Sequence, residues 1–131
     1  MLDYTLQSLY ENRAVDLNKF KGKRVLITFF DSNCKWCEKQ MQSFEMLLQG
    51  EQEIEIIAVA MGKDIDRLKM KMSGVSFPVL KASEYLLTSI GGVKMTPYTL
   101  VANKFGNFET KIVGYKSEDQ IESIIHKLEG K

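Results

Sequence analysis

The chain of 131 residues is poor in cysteine, histidine and proline, and its charges nearly cancel. Eighteen basic side chains against seventeen acidic ones leave a formal net charge of +1. That balance gives no electrostatic reason to expect nucleic acid or a membrane surface as a partner. No apolar run is long enough to span a bilayer, and no internal repeat or low-complexity tract is present. No segment reads as a secretory leader. A zinc site needs four ligands when structural or three when catalytic, and two thiols with one distant histidine do not supply them. No metal or other cofactor is therefore expected. The histidine, His126, falls between Glu122 and Glu129 on the polar side of the last helix, where a solvated side chain is expected. Seven methionines, Met70 and Met72 among them, invite a soft-metal reading, but most fall at helical core spacing and suit gap filling better.

What is present is more telling. A hydrophobic content of 44% in a chain of this length is enough to build one core, so residues 1–131 are read as one compact domain. The two cysteines stand three residues apart in Cys34-Lys35-Trp36-Cys37, directly after the apolar run Val25-Leu26-Ile27-Thr28-Phe29-Phe30. A buried strand running into a dithiol that opens a helix suits thiol–disulfide exchange. Helix N-termini leave backbone N–H groups unpaired and carry partial positive charge, which stabilises a thiolate at the exposed Cys34. One turn on, Cys37 can reach Cys34 and close a disulfide, resolving a mixed disulfide formed with a substrate. Lys35 adds to the thiolate's stabilisation, whereas Asp31 and Glu38 oppose it. Modest stabilisation makes the disulfide a weak oxidant and the protein a reductant or isomerase partner.

Along the chain, strands and helices alternate. Thr5 to Leu9 and Ala14 to Leu17 read as a short hairpin, and Val25 to Phe30 as a strand buried on both faces. Lys19, Lys21, Lys23 and Arg24 around Gly22 read as a solvated turn before it. Cys37, Met41, Phe44 and Leu48 fall on one stripe of the following helix, which Gly50 ends. Ile54 to Ala60 is a second buried strand, and Asp64 starts a helix carrying Ile65, Leu68 and Met72 on one face. Phe77 to Leu80 reads as an edge-like segment in which Pro78 is structural, and a brief helix from Ser83 to Ile90 stops at Gly91-Gly92. Tyr98 to Ala102 and Phe108 to Val113 flank the turn Asn103 to Asn107. The last helix carries a capping box, Ser117 with Gln120, and a stripe of Ile121, Ile124, Ile125 and Leu128. This order predicts an α/β fold with a central mixed β-sheet, helices on both faces and an N-terminal β-hairpin.

The sequence resembles the thioredoxin-like superfamily, and within it the TlpA/ResA-like (redoxin-like) thiol–disulfide oxidoreductases. The resemblance runs from Leu17 to Lys23, through the strand and Cys34-Lys35-Trp36-Cys37, to Ile54–Gly62, Gly74–Val79, Gly92-Val93-Lys94-Met95-Thr96-Pro97, and Gly106 with Gly114. It implies a cis Thr96–Pro97 bond beside the dithiol. A cis-proline turns the backbone so that the groups of Thr96 face outward and pair with an extended substrate segment. Lys35 and Trp36 complete the expected substrate contacts, and Trp36 equally suits partial packing onto the domain. Asn33 stands where the family usually has tryptophan, and Thr28 where thioredoxins proper keep a buried aspartate. Lys63 falls where related reductases often carry an acid, so the acceptor of the Cys37 proton is open among Asp31, Glu38 and Asp64, each of which also suits a helix start or the surface.

A disulfide closing so short a loop stabilises little, which argues against a purely structural bridge. A peroxiredoxin-like thiol peroxidase is the runner-up activity, weakened because Ser32 stands two residues before Cys34 and the activating Thr-x-x-Cys arrangement is missing. A redox-inert docking module is the alternative of another class. The expected function is exchange with protein thiols and disulfides by a monomer, recycled by a redox partner for which the resemblance allows a membrane-bound protein. The resemblance further implies a periplasmic or otherwise extracytoplasmic setting, with a cytoplasmic one left open, and work in disulfide correction or cytochrome c biogenesis.

Overall fold

The computed structural model describes residues 2–50 and 53–130. Its centre is β3 (Arg24–Phe30), in which every residue is buried. Strands covered on both faces lose the apolar–polar alternation of a half-exposed strand, and the run Val25 to Phe30 shows that loss. β3 pairs in parallel with β4 (Ile54–Ala60), which pairs in parallel with β5 (Val79–Lys81). On its other side β3 pairs antiparallel with β6 (Tyr98–Ala102), which pairs antiparallel with β7 (Phe108–Val113). The five-stranded order is therefore β5-β4-β3-β6-β7.

Alternation along the strands separates two cores. Leu26 and Phe30 join Ile56 and Ala58 on one face, where they meet α1 (Cys37–Gly50), α2 (Ile65–Lys71) and α4 (Glu118–Leu128). Val25, Ile27 and Phe29 join Ile57 and Val59 on the other, under α3 (Glu84–Ser89) and the N-terminal hairpin. That hairpin pairs β1 (Thr5–Gln7) with β2 (Ala14–Asp16) and covers the β5 edge, where the Leu9 N–H donates to the Val79 carbonyl at 2.9 Å. Local chemistry sets the helix starts. Asp64, Ser83 and Ser117 each cap a helix by accepting from a backbone N–H, and Gln120 completes the capping box. Gly91 and Gly92, both at φ 85°, end α3 in the left-handed region that a side chain would resist. Among the described residues, no helix is long and apolar enough to cross a membrane.

Two expectations need correction. Arg24 does not belong to a solvated turn: it is buried, and its guanidinium meets Glu109 at 2.7 Å and Glu129 at 3.5 Å. The arginine opens β3 beneath β7 and the end of α4, so the stem is covered while the charge is paired. On α1 the stripe of Cys37, Met41 and Phe44 is buried and Leu48, partly covered, packs against the same core, with Leu47 fully buried beside it. The methionines divide. Met41 and Met72 fill the core, but Met46, Met70 and Met95 are exposed, since helical spacing alone does not reveal which face a neighbouring element covers.

Candidate active site

Cys34 and Cys37 are joined in a disulfide, with Cα atoms 5.4 Å apart. They lie just beyond the C-terminal end of β3, the central strand of the sheet, where a rigid support fixes the position of the pair. Asp31 organises the intervening turn: its carboxylate accepts from the Asn33 N–H at 3.0 Å and its carbonyl from the Cys34 N–H at 3.3 Å.

The expected placement of Cys34 at an exposed helix start is corrected on both counts. The first hydrogen bond of α1 runs from the Gln40 N–H to the Trp36 carbonyl at 2.9 Å, so Cys34 precedes the helix by a short turn. The N–H groups of Cys37, Glu38 and Lys39 come before that first helical bond and remain the helix's positive end. Cys34 is also only 4% exposed, against 0% for Cys37. The turn brings Cys34 over the helix start, and a bridged sulfur is an apolar atom that joins the same core cluster as Met41 and Phe44.

Antiparallel pairing brings the second expected element to this end of the sheet. Tyr98 opens β6 opposite Phe29, so Thr96 and Pro97 lie level with the strand end that leads into the dithiol. The Thr96–Pro97 peptide is cis. Pro97 is buried and Thr96 partly so, and the Pro97 carbonyl accepts from the Gly114 N–H at 2.9 Å. Pro78 serves the sheet, its carbonyl accepting from the Ala58 N–H at 3.0 Å.

Lys35 is exposed. Trp36 is 48% exposed and stacks on Tyr115, with ring centroids 5.8 Å apart and planes 25° from parallel. The Lys39 ammonium lies 5.4 Å from the Trp36 centroid and 5.2 Å from that of Tyr115, close enough for cation–π attraction to both. The tyrosine is held in turn. Ser43 donates to its phenol oxygen at 3.3 Å, and Gln40 pairs with the backbone of Lys116, accepting from its N–H at 2.8 Å and donating to its carbonyl at 3.0 Å. Sequence reasoning missed Tyr115 and Gln40. A polar residue on the apolar stripe, one turn after Cys37, was the available signal for Gln40; nothing local marked Tyr115.

The three carboxylates considered for the Cys37 proton have other tasks. Asp31 holds the turn, Asp64 caps α2 by accepting from the Arg67 N–H, and Glu38 meets Lys71 at 3.3 Å. Thr28 is fully buried on the dithiol face of the sheet and accepts a hydrogen bond from Thr99 at 3.2 Å. Among the described residues no aspartate or glutamate is buried, and no cluster of three or more His, Cys, Asp or Glu is placed to hold a metal ion.

A thioredoxin-like domain family matches residues 12–129. The thiol-disulfide oxidoreductase ResA of Bacillus thuringiensis subsp. konkukian is 31% identical over 124 residues, covering 90% of this chain and 70% of that protein. A secreted Mycobacterium tuberculosis disulfide oxidoreductase homologous to Escherichia coli DsbE shares the fold at a TM-score of 0.80 and 16% identity, with 96% of each chain covered. The exposed lipoprotein thioredoxin of Streptococcus pneumoniae does so at 0.80 and 19%, covering 95% of this chain and 98% of its own. With a dithiol pair at the end of the central strand and relatives of this kind, the chain belongs to the thioredoxin-like family and is a thiol–disulfide oxidoreductase of the ResA type.

Proposed function

We propose that this protein reduces disulfides in extracytoplasmic proteins, with Cys34 as the attacking thiolate and Cys37 as the resolving thiol. The observation that carries the proposal is the Cys34–Cys37 pair at the end of β3, level with Thr96 and Pro97 at the start of β6. In the reduced protein the Cys34 thiolate attacks one sulfur of the substrate disulfide. A bond forms between Cys34 and that sulfur, and the other substrate sulfur leaves as a thiolate. Cys37, after losing its proton, attacks Cys34. The substrate leaves as a dithiol and the Cys34–Cys37 disulfide remains, so two electrons have passed to the substrate. A thiol donor must return them, and a membrane-bound reductant on the same side of the membrane suits that task.

Thr96 and Pro97 take the extended substrate segment, while Lys35 and Trp36 contact its flank. With Asp31, Asp64 and Glu38 engaged elsewhere, the Cys37 proton passes to solvent or to the departing substrate thiolate. The whole chain acts as one domain and as a monomer. A secreted protein and an exposed lipoprotein that share the fold favour the extracytoplasmic setting. There the substrates are misformed disulfides and the haem-site cysteines of cytochromes c.

Insulin reduction in the presence of dithiothreitol tests the exchange activity. The unmodified protein should accelerate precipitation of the insulin B chain, Cys34→Ser should not, and Cys37→Ser should accumulate mixed disulfides instead of turning over. An unmodified protein that fails to accelerate the reaction would support the redox-inert docking module instead.

A further inference from the structure

A groove of about 480 Å³ lies on the α3 face of the sheet, between the end of α3 and the outer strand β7. Its walls include Ile90, Lys94, Met95, Tyr98, Lys111 and Val113. It begins beside the expected substrate loop, because Lys94 and Met95 immediately precede Thr96 and Val113 pairs with Tyr98. Two kinds of surface meet there. Met95 and Val113 are 54% and 45% exposed, a large apolar exposure for neighbouring side chains. Lys94 and Lys111 are exposed, and among the described residues neither ammonium has a carboxylate within ion-pair distance. The one acid on β7, Glu109, is engaged by Arg24. The glycines at 91 and 92 leave the rim open, with no atom within 4 Å of where a Cβ would stand.

We propose that this groove is a specificity subsite for an acidic, apolar segment flanking the target disulfide of a protein substrate. It rests on the proposed reduction of protein disulfides and extends the contact surface beyond Thr96 and Pro97. A carboxylate of the substrate meets Lys94 and Lys111, and an aliphatic side chain beside it covers Met95 and Val113. Charge complementarity of this kind selects partners and speeds encounter more than it adds affinity.

The test uses two synthetic disulfide-bonded peptides, identical except that one carries aspartate, glutamate and leucine beside its disulfide and the other lysines and leucine. Bis(2-hydroxyethyl) disulfide serves as the neutral control. Two solvent-exposed ion pairs of ordinary strength give the acidic peptide about a tenfold higher kcat/KM at low ionic strength. The preference should collapse toward unity at about 0.5 M salt, where screening acts over a few ångströms. The double variant Lys94→Glu, Lys111→Glu should invert it while leaving reduction of the neutral disulfide unchanged. Equal rates on the two peptides, with the neutral disulfide still reduced, would overturn the subsite alone. Failure to reduce any of the three would overturn the proposed function and the subsite with it.

Discussion

Replacing Gln40 tests whether the loop beside the dithiol is held by a specific polar clamp or merely by packing. The Gln40 side chain is 1% exposed, and both atoms of its amide are used on the backbone of Lys116, at 2.8 and 3.0 Å. A hydrogen bond of this type contributes about 0.5–1.5 kcal/mol net, and a partner left unpaired out of water costs more. Gln40→Ala should therefore lose about 2–3 kcal/mol. With a urea m-value of about 2 kcal/mol/M, the unfolding midpoint falls by about 1–1.5 M. Gln40→Leu refills most of the volume yet leaves the Lys116 N–H and C=O without the amide, so it should be destabilised to a similar degree. Gln40→Glu adds a pH signature. An ionised carboxylate can accept from the Lys116 N–H but repels the Lys116 carbonyl, whereas the protonated acid donates to it. The introduced group is thus favoured protonated in the fold, so the variant's stability relative to the parent should be greatest at acid pH and fall as pH rises. Trp36, the only tryptophan, reports on the consequence: loosening Tyr115 should shift its emission to the red in Gln40→Ala. A Gln40→Leu protein within about 0.5 kcal/mol of the parent, with unchanged emission, would refute the clamp.

Two further outcomes follow from single contacts. Thr28→Val should cost about 1 kcal/mol by leaving the buried Thr99 hydroxyl without its acceptor, while the double variant with Thr99→Val should cost less than the two singles summed, as a double-mutant cycle in urea would show. Tyr10 is 47% exposed and donates to the Lys69 carbonyl at 2.7 Å, and the partial burial of its phenol raises it above the ordinary value of 10.0. Because the raised group favours its protonated form in the fold, its contribution is complete below that value and declines as alkaline pH passes the folded one; Tyr10→Phe should flatten that part of the stability–pH curve.

Much of this architecture was legible from local chemistry. The run Val25 to Phe30 identifies the central strand because no polar face interrupts it, and Asp64, Ser83 and Ser117 mark helix starts by side chains that cap their own backbones. Each is a relation among near neighbours, which a sequence displays. Arg24, Gln40 and Tyr115 are different. Gln40 meets a backbone 76 positions away, and Arg24 meets carboxylates 85 and 105 positions away, so their burial depends on how elements cross. Cys34 illustrates another limit. A place at the start of a helix implies exposure, but Cys34 lies in a turn ahead of α1, and that turn, shaped by Asp31, and the bond to Cys37 bring its sulfur into the core cluster.

Competitive alkylation of the fully reduced protein, followed by peptide mass spectrometry, tests the assignment of the two sulfurs most directly. The protein is treated with limiting iodoacetamide near pH 7 and the label at each cysteine is followed in time. Opening the disulfide is expected to free Cys34 in the turn ahead of α1, at the positive end of that helix, while Cys37 is the first residue of the helix and fully buried. Cys34 should be labelled at least about tenfold faster, as expected for the more accessible and better stabilised thiolate. Equal labelling, or faster labelling of Cys37, would contradict the account.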